Sequence, residues 1–222
     1  MVVPPLCAGC HEPEFSGDPV CPECRSLLVP LRDPRCARCG APVVWPAESC
    51  RECRGRRLAF DRAWSAFAYE GVCRGLVSAL KSRGHVSVAR FMAAELAARA
   101  SGLIAGATLL PVPAHPGRRR RHGFNQAAEV ARALGAHTGA PVRDLLSRST
   151  AAGPQVGLER RARLANARAS VHARSSRDPP ARALLVDDVY TTGATLDACA
   201  AALRAAGVER VTGLTFARAI RD

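Results

Sequence analysis

The sharpest chemical signal in the sequence is a run of acidic and hydroxyl residues that follows a short apolar segment at residues 184–186. Backbone N–H groups at the start of a helix, together with nearby hydroxyls, form a favourable site for phosphate. Adjacent carboxylates accept hydrogen bonds from vicinal hydroxyls or approach a hard cation. The combination therefore predicts a site for a ribose 5-phosphate. The residues expected to form it are Asp187, Asp188, Thr191, Thr192, Gly193, Ala194 and Thr195.

A second signal is a repeat of cysteine pairs near the start of the chain. Eight of the ten cysteines form four Cys-x-x-Cys pairs, and the spacing C-x2-C-x10-C-x2-C occurs twice, 29 residues apart. Two such pairs brought together by a hairpin complete a tetrahedral thiolate site, as in a zinc ribbon. The expected ligands are Cys7, Cys10, Cys21, Cys24, Cys36, Cys39, Cys50 and Cys53.

Both zinc ions are expected to be structural, because four thiolates leave no coordination position open. The repeat favours pairing within each quartet, although a crossed arrangement of the pairs would satisfy the same spacings. Gly9 and Gly40 lie where tight Cys-x-x-Cys turns commonly need a residue without a Cβ. Cys73 and Cys199 lie in apolar, helix-like segments, and we interpret them as small buried residues.

The elements that must position these residues alternate between strand and helix from residue 61 onward. The pattern predicts strands at 62–69, 108–112, 183–186 and 210–216, with a further strand at 141–146, and helices at 72–81, 88–100, 124–134 and 195–206. This alternation predicts an α/β fold, a mainly parallel sheet with helices on both faces. Ligands of such folds bind at the carboxyl ends of the strands. We expect residues 1–60 to form a double zinc ribbon and residues 61–222 a second domain.

The positive charge of the chain is concentrated in one segment. The formal net charge is +13, whereas residues 1–60 carry only +1, which two zinc tetrathiolates would bring to about −3. Residues 115–177 hold thirteen arginines against three acids, a net +10, including 118–121 and the cluster Arg160, Arg161 and Arg163. Guanidinium groups bind phosphate oxygens in pairs, so this segment suits a pyrophosphate and equally a nucleic-acid backbone. A solvated basic loop is the alternative.

Further motifs extend the pattern over most of the chain. The hydrophobic-Asp-Asp-x-x-Thr-Thr-Gly-x-Thr run resembles the PRPP-binding signature of type I phosphoribosyltransferases. Together with the cysteine repeat, the whole set resembles the ComF family of double-zinc-ribbon, phosphoribosyltransferase-like proteins linked to bacterial competence. His122 is a departure, since arginine is expected before Gly-Phe-Asn-Gln. The additional motifs are Pro111-Val112-Pro113-x-His115, Gly123-Phe124-Asn125-Gln126, Gln155-x-Gly157-Leu158 and Arg163-x-x-Asn166.

The resemblance implies roles for individual residues. Asp187 and Asp188 would bind the ribose hydroxyls of PRPP, residues 191–195 would bind its 5-phosphate, and Mg²⁺ would accompany the pyrophosphate. Arg121 and Arg163 are candidates to offset charge on the leaving pyrophosphate, with no catalytic residue assigned. The other residues expected at the site by family motif are Lys81, His115, Asn125, Gln126, Gln155 and Asn166.

The function expected from these features is transfer of a phosphoribosyl group from PRPP, or from a related phosphoribosyl ligand, to an unidentified acceptor, linked to DNA uptake. Two alternatives use the same site. One is a non-catalytic protein that handles single-stranded DNA together with competence-machinery proteins. The other is a PRPP sensor that controls a partner through its zinc ribbons. The sequence has no apparent secretion signal or membrane segment, so we expect a cytoplasmic protein without membrane insertion.

Overall fold

The computed structural model describes residues 4–81, 86–117, 123–149, 170–174, 176 and 178–220. The helices and strands within them follow the alternating order that the sequence predicts. The helices are α1 (Pro22–Ser26), α2 (Gly71–Lys81), α3 (Val86–Ile104), α4 (Gln126–Thr138) and α5 (Ala194–Ala205). The strands are β1 (Arg62–Ala68), β2 (Thr108–Pro111), β3 (Leu146–Arg148), β4 (Val171–Ala173), β5 (Arg182–Tyr190) and β6 (Arg210–Arg218).

The core of the described structure is a four-stranded sheet in the order β1-β6-β5-β2, in which every pair of neighbouring strands is parallel. Strand side chains alternate between the two faces, so each face has its own apolar layer. Leu184 and Val186 of β5 pack in one layer with residues of α2, α3 and α4. Leu185 packs in the other layer with residues of α5, such as Leu196. The predicted α/β architecture, with helices on both faces, is confirmed.

The two cysteine-rich segments pack against opposite faces of this sheet. Cys7 and Leu28 belong to the same buried cluster as Leu76 of α2. Cys39 and Phe60 belong to the cluster on the α5 side. The cysteine-rich region therefore contributes to both apolar layers.

Three local expectations differ from the structure. β5 does not end before the acidic pair but continues through it to Tyr190, because β6 pairs with it along its whole length. The segment 141–146 is not a continuous strand, since Val142 forms only an isolated bridge to Leu109. A strand begins instead at Leu146 and pairs antiparallel with β4, which the sequence pattern did not predict.

Two further observations concern the cysteines outside the repeat and the length of the apolar helices. Cys73 and Cys199 are 1% and 0% exposed, which confirms that they are buried core residues. Within the described part of the chain, no helix combines the length and the apolar character needed to span a membrane.

Candidate functional site

A cavity of about 430 Å³ lies at the carboxyl ends of β5 and β2, where the α/β topology predicts a ligand. Residues from six separate parts of the chain line it, so the fold brings together residues that are distant in sequence. Eight of the predicted site residues are among them: Lys81, His115, Asn125, Gln126, Asp187, Asp188, Thr191 and Thr195.

The acidic pair lines the cavity from β5. Asp187 accepts a hydrogen bond from the backbone N–H of Asp188 at 2.9 Å, and Asp188 accepts one from the N–H of Val189 at 2.7 Å. These bonds fix the orientation of both carboxylates. The second oxygen of Asp188, Oδ2, lies 3.8 Å from the Nζ atom of Lys81. The arrangement offers carboxylate oxygens and one ammonium group to the same ligand.

The loop that follows β5 turns sharply into α5. Gly193 precedes the first residue of the helix in a left-handed conformation, with φ of +73°. The backbone N–H of Ala194 donates to the hydroxyl of Thr192 at 3.3 Å. The hydroxyl-bearing residues Thr191 and Thr195 line the cavity, next to the helix start. A helix N-terminus flanked by hydroxyls is suited to bind a phosphate group.

The cysteines form two separate clusters, each made of one quartet. Within each cluster the four Sγ atoms lie within 4.8 Å of one another, and all ten cysteines are free thiols. The Sγ separations are 3.9 Å for Cys10–Cys21, 3.6 Å for Cys36–Cys53 and 3.5 Å for Cys39–Cys50. Sulfurs bound at about 2.3 Å to one tetrahedral zinc lie roughly 3.8 Å apart. The side chains therefore fit two zinc ions, with pairing within each quartet and not crossed.

Backbone amides around the first cluster point at its sulfurs. Gly9 and Cys21 donate their N–H groups to the Sγ atom of Cys7, both at 3.3 Å. Burial disfavours the Cys7 thiolate, but these backbone hydrogen bonds, foremost that from Cys21, lower its pKa to about 6. Burial also disfavours the thiolate of Cys36, where backbone donors lower the pKa to about 7. Each cluster thus holds one cysteine biased toward the thiolate form that zinc requires, whereas burial raises the pKa of Cys24 and Cys39.

Gly40 shows why the second cluster needs glycine in its tight turn. Its φ is +71°. A Cβ at this position would lie 2.3 Å from the carbonyl oxygen of Ala63 in β1. The backbone of the turn therefore packs directly against the backbone of β1. The expectation of a residue without a Cβ is confirmed here by the close backbone approach.

Comparison with known proteins identifies relatives of the cysteine-rich region and of the chain as a whole. Residues 1–54 match a family model described as a double zinc ribbon domain. The chain is 28% identical over 210 residues to Competence protein F of Haemophilus influenzae, which covers 90% of each chain. It is 26% identical over 185 residues to Competence protein ComFC of Bacillus subtilis, covering 80% of this chain and 74% of that one. These similarities support the predicted resemblance to the ComF family.

Two residues of the ComF motifs have structural roles beside their place in the cavity wall. Asn125 caps α4, since its Oδ1 atom accepts from the N–H of Ala127 at 3.2 Å. Its Nδ2 atom donates to the carbonyl oxygen of Val112 at 3.0 Å. The Nδ1 atom of His115 accepts from the N–H of Gly117 at 3.2 Å. Asn125 therefore connects the start of α4 to the residue after β2 by hydrogen bonds and fixes their relative position at the cavity.

Among the side chains with polar groups that line the same cavity, sequence reasoning missed Tyr69 and Arg148. Tyr69 directly follows β1, and Arg148 is the last residue of β3. The Nε atom of Arg148 donates to the hydroxyl of Ser170 at 3.3 Å, across the short antiparallel pair. A weak signal existed for Arg148, because it lies in the strongly basic segment, but nothing distinguished it from its neighbours. Its position depends on a pairing between distant three-residue strands.

Part of the ComF-like pattern lies outside the described residues. This applies to the basic run 118–121, including Arg121, and to His122, Gln155, Gly157, Leu158, Arg160, Arg161, Arg163 and Asn166.

Proposed function

We propose that this protein is a member of the ComF family that binds PRPP in the 430 Å³ cavity and transfers its phosphoribosyl group to an acceptor. The observation that supports this most directly is the convergence of an acidic pair, a lysine and a hydroxyl-rich helix start around one cavity. Asp187 and Asp188 would accept hydrogen bonds from the ribose hydroxyls. The loop at residues 191–195 would bind the 5-phosphate, with the hydroxyls of Thr191 and Thr195 facing the ligand.

In the proposed reaction the bond between the anomeric carbon and pyrophosphate breaks, and pyrophosphate leaves with the electron pair. The acceptor supplies the pair for the new bond and releases a proton to solvent. Bound Mg²⁺ would offset charge on the pyrophosphate, as the family resemblance implies. Among the described residues, Lys81 and Arg148 are the cationic side chains of the cavity wall, and they would hold the pyrophosphate in place. Arg121 and Arg163 remain candidates for the same role.

We also propose that the protein acts in competence. Both curated relatives are named competence proteins, and one of them matches over 90% of both chains. The phosphoribosyl site and the competence role are separate proposals, and neither excludes the other. PRPP binding and loss of transformation can be measured separately.

A thermal-shift experiment tests the PRPP site. PRPP with Mg²⁺ should raise the melting temperature of the protein, and Asp187→Asn should abolish that rise without removing either zinc. Release of labelled pyrophosphate in the presence of candidate acceptors then tests for transfer. Binding without release for any base or amine would favour a sensor. Absence of any shift with the wild-type protein would contradict the proposed site.

Handling of single-stranded DNA is a second candidate, favoured by the net +10 of residues 115–177. Binding that depends on arginine–phosphate contacts weakens steeply as salt concentration rises. Strand binding should therefore fall steeply between low and high salt, and replacing the arginines at 118–121 should weaken DNA binding more than PRPP binding. A flat salt response would count against this function.

A further inference from the structure

A buried arginine joins the second zinc cluster to the middle of the sheet. Arg218 is the last residue of β6, its side chain is fully buried, and it pairs with Tyr190 of β5. Its Nη1 atom donates to the carbonyl oxygen of Cys39 at 2.7 Å, and its Nη2 atom lies 3.7 Å from the Sγ atom of the same cysteine. Nη2 also lies 2.8 Å from a carboxylate oxygen of Glu52. Two groups of the second cluster, the carbonyl of Cys39 and the carboxylate of Glu52, therefore hold the guanidinium.

The same guanidinium packs on the residue that supports the phosphate-binding loop. Its Cζ atom lies 4.2 Å from the centre of the Tyr190 ring. Burial raises the pKa of Tyr190 to about 12, so the ring is a neutral phenol at physiological pH. The phenol lies directly against Gly193, where an added Cβ would come within 2.4 Å of its oxygen. Contacts thus run without a gap from Cys39 through Arg218 and Tyr190 to Gly193.

Two more contacts hold the loop from the same side. Arg56, three residues after the zinc ligand Cys53, donates from Nη2 to the carbonyl oxygen of Thr192 at 2.8 Å. The backbone N–H of Ala59 donates to Asp197 in the first turn of α5 at 2.7 Å. The segment that follows the second zinc cluster therefore touches both the loop and the helix that begins after it.

The first zinc cluster packs elsewhere. An added Cβ at Gly9 would contact Val72 of α2 at 3.0 Å, so its first turn lies on that helix. Arg25 forms an ion pair with Glu95 of α3 at 2.6 Å, and its guanidinium lies 5.8 Å from the Phe91 ring centre. These contacts stabilise α2 and α3, on the opposite face of the sheet from α5.

From these contacts we propose that Arg218 and Arg56 are positioning residues through which the second zinc cluster holds the phosphate-binding loop in its binding conformation. The proposal rests on the proposed function of residues 191–195. Zinc fixes the Cys-x-x-Cys turns, and with them the Cys39 carbonyl, the Glu52 carboxylate and the segment that carries Arg56. Because coupling between two sites is reciprocal in binding free energy, PRPP should also increase the affinity of the second cluster for zinc.

The 29-residue repeat provides a matched pair of variants to test this coupling. Cys21→Ser and Cys50→Ser change the same position of the two quartets, and each should lower the zinc content from two ions to one. Hydrogen exchange of the backbone amides in 191–197 is then measured on the full-length proteins without ligand. Cys50→Ser should speed this exchange by about tenfold or more, and Cys21→Ser should leave it nearly unchanged. Equal effects of the two variants on the loop would overturn the proposal.

A second pair of variants leaves both zinc sites intact, so it remains informative if Cys50→Ser fails to fold. Arg56→Ala removes the hydrogen bond to Thr192, whereas Arg54→Ala removes an exposed arginine two residues away. With two zinc ions still bound, Arg56→Ala should speed loop exchange and weaken PRPP binding about tenfold, the effect of losing one charge-assisted hydrogen bond. Unchanged loop exchange in Arg56→Ala would overturn the proposal. If the wild-type protein does not bind PRPP, the proposed function fails, while the exchange measurements still test the positioning role.

Discussion

Lys81 is notable at the level of single residues because every other basic residue among the 32 is an arginine. It is the last residue of α2 and lies 3.8 Å from the Oδ2 atom of Asp188. A lysine places a compact, strongly hydrated charge on a flexible side chain, whereas an arginine presents a planar fork. At this position a compact ammonium group reaches a carboxylate and, in the proposed complex, would also reach a phosphate of the ligand.

Replacing Lys81 should weaken ligand binding. Lys81→Met removes the ammonium group and leaves a side chain of similar length, so we expect about a tenfold loss of PRPP affinity, measured by titration calorimetry. Arg90→Met is the charge-matched control, because it removes an exposed positive charge on α3 away from the cavity wall. Equal losses in the two variants would mean that overall charge, not contact with the ligand, accounts for the effect.

Arg148 allows the two ends of the ligand to be tested separately. If it binds the pyrophosphate, Arg148→Ala should weaken binding of pyrophosphate about tenfold and leave binding of ribose 5-phosphate nearly unchanged. Arg132→Ala, which removes an exposed arginine paired with Glu129 on α4, serves as the control. An equal loss of affinity for both ligands would show that Arg148 acts on the shape of the cavity and does not contact one end.

At the scale of elements, the sequence was most informative where the signal was local and long. The buried apolar segment at 184–186, the strand pattern at 210–216 and the Cys-x-x-Cys repeat are properties of neighbouring residues, and they correctly predicted two strands and the two cysteine clusters. The predicted end of β5 at residue 186 was wrong, because pairing with β6 extends the strand past the acidic residues to Tyr190. Strands β3 and β4 have three residues each, too few to show a period, and they meet only through tertiary pairing.

The site residues, too, were predictable only where the signal was local or belonged to a known motif. The acidic pair and the loop were predictable because one strand and the following helix carry both. Lys81 and His115 were placed only through family motifs, and the structure brings both into the cavity wall. Tyr69 was predicted only as the end of a strand and Arg148 only as one arginine of the basic segment, because their place in the cavity depends on how distant elements pack.

From the packing of the turn between β5 and α5 we predict how much a methyl group added at Gly193 lowers the free energy of unfolding. Gly193 and Gly139 both have φ of +73°, but an added Cβ meets Tyr190 at 2.4 Å in the first case and no atom within 4 Å in the second. Gly139→Ala should lower the free energy of unfolding by about 1 kcal/mol, the cost of the left-handed conformation. Gly193→Ala should cost roughly 1–3 kcal/mol more, because the phenol must move. Chemical denaturation measures both, and equal costs would contradict close packing of Tyr190 against the loop.

For the whole molecule, the shared apolar layers make the zinc ribbons part of the main core. Cysteines of the first cluster pack with Phe67 and Leu76, and those of the second pack with Leu196 and Leu203. Division of the chain into residues 1–60 and 61–222 remains a prediction. The packing indicates that the two parts are stabilised together, since each apolar layer includes residues from both.

Removal of zinc should therefore destabilise the entire chain. Arg218 is buried in the sheet, and its hydrogen-bond partners Cys39 and Glu52 belong to the second ribbon. If that ribbon unfolds, a guanidinium is left without these partners inside the sheet, and loss of one partner of a buried charge pair costs about 3–5 kcal/mol. Metal analysis should find two zinc ions per chain, and chelation should lower the single melting transition of the whole protein, followed by far-ultraviolet circular dichroism. A chelated protein that keeps most of its helix signal and melts at the original temperature would show that residues 61–222 fold without the ribbons.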